Sequence, residues 1–412
     1  MIADGDGITL SSDLMIFFLL LLYSADFLDF SGVLVALAIT GFLFLRVGNL
    51  EFDAGAGLLI LFSAFYFGSV AYHEGTSIDT VIKFAIAPWG CYVLGYNMRL
   101  RNRAFSVTDF ATALTFGFFL HGMLNLYSSI QVFGSGFNNN YRQAIDFWQS
   151  RTISVTTASL YYTPFTVMSV GLLFFSTRRG TRPLAAISLA MGLYASMIYQ
   201  NRTLILDSAL IFCLDLLLFS LDAGVEASKK HVVYGCLAIG ALLAVLAFLA
   251  NVAGIRDTIM NSSLMNRMTG SKQDRTTIWI SFIFGEAWKY PFGGTKAVLY
   301  ENKPFCHNMW LDTFRRAGFF PFLFLGLFTL RSALNILYFN TLGRLTGEDT
   351  CVIISLFAGT MLSFMVEPVI EANPYVFYLP LLVVGVINGH NRDVESLIDY
   401  YAYGNTALAA TE

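Results

Sequence analysis

The residues best suited to chemistry in this chain are His307 and four arginines, Arg142, Arg151, Arg202 and Arg275, each lying near the end of an apolar run. An imidazole changes charge near pH 7 and can take a proton from a hydroxyl. Guanidiniums hold phosphates and carboxylates through paired hydrogen bonds. A histidine among fixed cations is therefore a place for proton transfer beside an anionic group. The plainer readings are that a lone histidine is hydrogen-bonded structure and that an arginine at a helix end reaches for headgroups.

Two of these residues, Arg275 and His307, belong to one polar stretch, residues 251–318, in an otherwise apolar chain. Ser271-Lys272-Gln273-Asp274 has the form of a capping box and predicts a helix from about Asp274. On that helix Arg275 and Trp279 fall on one face. Pro291 must end it, and Pro291-Phe292-Gly293-Gly294 forces a turn. His307-Asn308 opens a further helix, on which His307, Leu311, Phe314 and Gly318 recur at near-helical spacing and place the histidine inward. Asp312 is spaced to pair with Arg315 or Arg316 on the same helix. Trp279 and Asn308 join the candidate site as binding groups. So does Glu371, which stands with Glu367-Pro368 and Asn373-Pro374-Tyr375 in a late hairpin and is able to orient a cation or hold a hydroxyl.

The other candidates are more dispersed. Gln200-Asn201-Arg202-Thr203 is nearly the whole of one tight turn, so Arg202 is pinned at the mouth of the helices. Asp207 and Asp215 share a helical face and point inward, foremost as a bridge between helices. Residues 134–152 form a Gly- and Asn-marked loop in which Tyr141, Phe147 and Trp148 suit an interface and Arg142 and Arg151 add positive charge. His73-Glu74 reads as a solvated pair, His121 as a packing histidine, and Asp4-Gly5-Asp6 as a solvated turn.

The elements that position these groups follow from composition. Of 412 residues, 56% are hydrophobic and 13% charged, against about 25% charged in ordinary soluble domains. The apolar residues fall in runs of roughly 18 to 25, each long enough to cross a bilayer. The expected fold is all-α: a polytopic transmembrane bundle of about twelve spans, over about 10–250 and 318–389. One large external loop, 251–317, carries short interfacial helices within this single membrane domain. The first run lacks a basic leader and reads as a retained span. Arg99, Arg101 and Arg103, then Arg178, Arg179 and Arg182, then Lys229 and Lys230 mark the cytoplasmic side. Both termini are then cytoplasmic and the polar loop faces outward. Arg256, Arg267, Lys272, Arg275, Lys289, Lys296 and Lys303 load that loop with positive charge, for which anion binding is the natural explanation. The five cysteines include no C-x-x-C pair, so neither a disulfide framework nor a zinc site is expected.

Three features together resemble the bacterial O-antigen polymerase and O-antigen ligase superfamily of polytopic membrane glycosyltransferases. They are Asn201-Arg202-Thr203 at a span junction, Arg275-x-x-x-Trp279 followed by Pro291-Phe292-Gly293-Gly294, and His307-Asn308-x-x-Leu311 with Gly318 beyond. Asn201 stands where that family often has Ser. The resemblance implies a multi-pass protein of the bacterial plasma membrane, with its site on the outer face. It implies inverting transfer of a glycan from an undecaprenyl-diphosphate-linked donor to a glycan or lipid-linked acceptor, without metal or other cofactor. Membrane lipid and a chain-length regulator are its implied partners, and nucleic acid is not one. Arg202 and Arg275 would stabilise the leaving diphosphate, with Arg142 and Arg151 secondary. His307 would take or orient the acceptor's proton.

Polymerisation of lipid-linked repeat units into O-antigen, capsule or exopolysaccharide is the preferred reading, and ligation of finished glycan to lipid A core the alternative. A polysaccharide-lipid flippase is a third possibility. It would line an interior path with cations, whereas here they gather in one loop and the neighbouring turns.

Overall fold

Apolar runs fold as helices because in lipid a backbone must satisfy its own polar groups internally. The computed structural model describes residues 6–46, 49–98, 107–134, 143–175, 179–221, 274–341 and 347–409, and these are mostly helical. In order the helices are α1 (Asp6–Ser24), α2 (Ser31–Arg46), α3 (Ala54–Glu74), α4 (Ile78–Tyr96), α5 (Val107–Phe133), α6 (Val155–Phe174), α7 (Arg182–Ile198) and α8 (Arg202–Leu221). They continue with α9 (Asp274–Ser281), α10 (Met309–Ala317), α11 (Phe319–Thr341), α12 (Gly347–Phe364), the single turn α13 (Val369–Ala372) and α14 (Pro374–Ala409).

Among the described residues four helical stretches are long and apolar enough to cross a membrane: Ala54–Glu74, Ile78–Tyr96, Asp109–Phe133 and Phe319–Ile336. Leu14–Ser24, Gly32–Leu45, Arg182–Ile198 and Cys351–Phe364 are apolar but shorter. The expected count of about twelve crossings is thus not reached by length and composition. Tyr, Thr and Ser dilute several of the remaining helices. The run expected over 232–250 lies outside the described residues, as do Arg256, Arg267 and Lys272. Leu37, Phe44 and Leu45 on α2, Phe65 on α3 and Leu330 and Leu334 on α11 present exposed apolar side chains. A surface of this kind suits an apolar surrounding.

The helical class holds, with one pair of short strands added among the described residues. Gln143–Asp146 (β1) and Arg151–Ser154 (β2) pair antiparallel, with Asp146 opposite Arg151. Side chains of α5 hold this hairpin in place. Ser129 Oγ accepts from Ile145 N at 2.9 Å and Asn125 Oδ1 from Phe147 N at 2.8 Å. A four-residue strand carries too little periodicity to be seen in the sequence.

The core joins early and late helices. A Cβ on Gly385 or Gly389 would strike the backbone of Tyr92 or Tyr96, and one on Gly95 the backbone of Leu382. Small residues let α4 and α14 pack backbone to backbone in this way. A polar chain ties the same region. Asn388 Nδ2 donates to the Tyr92 hydroxyl at 2.8 Å, and that hydroxyl donates to Asp53 Oδ1 at 2.9 Å. Arg331 lies 3.0 Å from the other oxygen of Asp53. The network anchors the ends of α3 and α11 that lie away from Glu74 and Phe319, so the opposite ends of those helices are held where the candidate site begins.

Candidate functional site

The site starts from the polar turn before α10. Asn308 is the N-cap of that helix: its Oδ1 accepts from Trp310 N and Leu311 N, each at 3.1 Å. A capping Asx residue satisfies N–H groups that the first turn leaves open. The consequence for His307 corrects the sequence expectation. It lies two residues ahead of the helix rather than on its inward face, with φ 55°, in the left-handed region. A non-glycine residue there carries strain of about 1 kcal/mol or more.

Asp312 holds the turn in this form. It is buried, and its two carboxyl oxygens accept from Cys306 N at 2.6 Å and Asn308 N at 3.1 Å. The expected ion pairs with Arg315 or Arg316 do not form, because the carboxylate turns back to the backbone on either side of His307. Burial pushes the Asp312 carboxyl up to about 6, against the pull of those two N–H groups. Burial likewise raises the Cys306 thiol, which is therefore protonated and inert at neutral pH.

Around this turn three elements converge. The described part of this stretch opens with the helix α9, while the expected capping residue Ser271 lies outside the described residues; helical turns continue to Lys289, just before Pro291. Trp279 donates from Nε1 to the Cys306 carbonyl at 2.8 Å, fixing α9 to the residue next to His307. Arg275, one turn earlier, lies 3.9 Å from the buried Glu367 carboxylate. Asn308 Nδ2 donates to the Met365 carbonyl at 3.2 Å. The hairpin 365–373, between α12 and α14, thus reaches both Arg275 and Asn308.

Glu371, on the same hairpin, is half-buried within electrostatic reach of Arg316, Asp312 and Arg315. Burial pushes its carboxyl up to about 7, and its Oε1 is buried without a hydrogen-bond partner among the described residues. Arg316 is committed elsewhere. Its Nε and Nη2 donate to the two oxygens of Glu74 at 2.9 and 2.6 Å, and its guanidinium lies over the Phe84 ring. The pair His73-Glu74 is therefore not merely solvated: it ties the end of α3 to α10.

The Pro291–Gly294 turn serves placement rather than ligand binding. Gly294 N and Thr295 N donate to the Arg316 and Arg315 carbonyls at 2.8 and 3.1 Å, and Phe319 N donates to the Pro291 carbonyl at 2.8 Å. Gly293 has φ 78°, and a Cβ there would sit 2.5 Å from the Arg316 carbonyl oxygen. Only glycine satisfies both conditions.

Among the described residues, no contact joins the other predicted residues to this cluster. Asn201 caps α8, its Oδ1 accepting from Thr203 N at 3.0 Å, which makes Arg202 the first residue of the helix. Asn and Ser are equivalent in that capping role, so Asn201 in place of Ser leaves the turn intact. Asp215 does bridge helices, accepting from Ser355 Oγ of α12 at 2.5 Å. Arg151 is exposed on β2, near Asp29, and no described contact joins it to Arg275 or His307. Arg142 lies outside the described residues. His121 is buried against Tyr161, ring centroids 4.4 Å apart, as expected of a packing histidine.

The electrostatics also qualify the expected anion trap. Of the loop's cations named above that are described, Arg275 lies beside Glu367, Lys289 pairs with Glu286 and Lys303 with Glu301, while Lys296 makes no ion pair among the described residues. Arg315 was missed by sequence reasoning, which assigned it to Asp312. It makes no side-chain hydrogen bond or ion pair among the described residues, and its Nε is buried. An apolar cleft of about 420 Å³, lined by Leu19, Ala38, Phe42, Leu94 and Leu382 among others, touches none of the candidate residues. Among the described residues no cluster of His, Cys, Asp and Glu is arranged to hold a metal ion. No protein-family model matches the chain, and no curated protein matches it.

Proposed function

We propose that the chain is a membrane glycosyltransferase that polymerises undecaprenyl-diphosphate-linked repeat units on the outer face of a bacterial plasma membrane. The observation that carries this reading is the convergence of Arg275, Trp279 and the His307-Asn308 turn with the Glu367–Glu371 hairpin, at the helix ends where Glu74 and Phe319 lie. Residues from two of the three motifs that carry the resemblance are thus neighbours in space. The proposal includes about twelve crossings, as the apolar runs of the sequence suggest.

In this reaction the acceptor hydroxyl attacks the anomeric carbon, the bond to the lipid diphosphate breaks, and the diphosphate leaves with the electron pair. Arg275 is placed to exchange its 3.9 Å contact with Glu367 for a phosphate oxygen. Arg202, as the first residue of α8, is the second cation of the proposal. His307 accepts the hydroxyl's proton, a role typically worth about 10²–10⁴-fold in rate. Ligation to lipid A core uses the same chemistry with another acceptor and is the second reading.

The test is a deletion strain examined by surface-glycan gel. Single repeat units without a ladder support polymerisation, and unattached lipid-linked polymer beside a naked acceptor supports ligation. An unchanged profile contradicts both.

A further inference from the structure

The unexplained feature of the cluster is a pair of opposite charges that do not meet. Arg315 and Glu371 act on each other electrostatically, yet no ion pair joins them. Each keeps a buried polar atom unsatisfied among the described residues, Nε on Arg315 and Oε1 on Glu371. Buried polar groups ordinarily find a partner, and the exceptions need a reason. Both are set on built elements: Arg315 in the last turn of the capped helix α10, Glu371 on the short turn α13. Neighbouring groups cannot close the gap from either side. Arg316 is held by Glu74, and Asp312 by the backbone of Cys306 and Asn308.

A ligand group between a guanidinium and a carboxyl must accept on one side and donate on the other. A hydroxyl does both. A diphosphate does not fit as well, because Glu74, Glu371 and Asp312 crowd this corner with carboxyl groups.

We infer that Arg315 and Glu371 form the subsite for the acceptor sugar, holding one of its hydroxyls between them. This deepens the proposed glycosyl transfer and rests on it. Arg315 donates to the hydroxyl oxygen, and the hydroxyl donates to Glu371. The donor diphosphate lies on the Arg275 side. Both residues position substrate, and the proton of the transfer step goes to His307.

The test uses full-length protein in lipid nanodiscs. The donor is the lipid-linked oligosaccharide extracted from cells lacking the gene, at fixed concentration. The acceptor is the same oligosaccharide freed from its lipid by mild acid, at varied concentration. Loss of a charge-assisted hydrogen bond, in Glu371→Gln or Arg315→Gln, is expected to raise the half-saturating acceptor concentration about ten- to a hundredfold. The maximal rate and the half-saturating donor concentration should stay within about threefold of wild type, because the Arg275 side is untouched. Arg315→Lys retains the charge and should recover part of the loss, which also serves if the Gln variants fold poorly. A fall in maximal rate at unchanged acceptor saturation overturns the subsite while leaving the transferase reading standing. So does a donor effect equal to the acceptor effect. Wild-type protein that transfers nothing to this acceptor or to purified lipid A core overturns both.

Discussion

Replacing Asp312 by Asn separates the stability of the fold from the geometry of the His307 turn. The carboxylate accepts at 2.6 Å from Cys306 N and at 3.1 Å from Asn308 N, clamping the left-handed residue between them. An asparagine keeps one acceptor and points an amide donor at the other N–H. The N–H left facing that donor loses its partner inside the fold, at a cost of about 1–3 kcal/mol. Against this stands the cost of ionising a buried carboxyl. With its folded value pushed up to about 6 from 3.8, Asp312 destabilises the protein by about 3 kcal/mol above pH 7, at 1.36 kcal/mol per unit. The two effects nearly cancel, so melting in detergent at pH 8 should move by only a few degrees. The turn itself no longer has two anchors, and its closed population should fall about tenfold to a hundredfold. Elongation of lipid-linked glycan by purified protein should fall by the same factor at unchanged protein level. Wild-type elongation by Asp312→Asn, or a collapse in stability that fully accounts for lost activity, would refute the reasoning.

Three further outcomes are expected. Gly293→Ala forces a side chain into the left-handed region and onto the Arg316 carbonyl, and should cost at least about 2 kcal/mol and much of the folded yield by detergent melting; an unaltered melt means the turn can relax. Glu371 has a raised folded value, about 7, so the folded state binds its proton more tightly than the unfolded chain does. Its contribution is then favourable at low pH and is lost as pH rises from the ordinary carboxylate range through about 7, and Glu371→Gln should flatten the fall in melting temperature between pH 5 and 8 as that loss is removed. Glu74→Gln removes one charge from the two-bonded pair with Arg316, and should loosen α10 from α3, read as faster amide exchange over residues 309–317; unchanged exchange denies the pair that role.

Local signals were legible in the sequence and long-range ones were not. The end of the helical turns before Pro291 and the shared face of Arg275 and Trp279 follow from proline and helical spacing within a few residues. Glu367 and Glu371 stand out beside Pro between apolar runs, but nothing in the sequence joins them to Arg275 or Asn308, and solvated loop acids are the ordinary reading of such a pair. Asp312 shows where local reasoning failed. Its spacing to Arg315 and Arg316 is correct for pairing, but two backbone N–H groups inside the turn are nearer and buried, and they win. Glu74 and Arg316 are 242 residues apart in sequence, and nothing local announces their contact. The β1–β2 hairpin depends on Asn125 and Ser129 of α5 for its partners. The double glycine was read as a turn, yet its identity is set by the end of α10 that it touches.

The most direct test of the central claim is complementation of the deletion strain by His307→Gly. Glycine accepts φ 55° without strain, so this change removes the imidazole while leaving the turn at least as stable, whereas alanine would keep the strain. At equal membrane protein levels the account predicts single repeat units and no ladder on the surface-glycan gel. A restored ladder of wild-type length would show that the imidazole is dispensable and that the site has been misread.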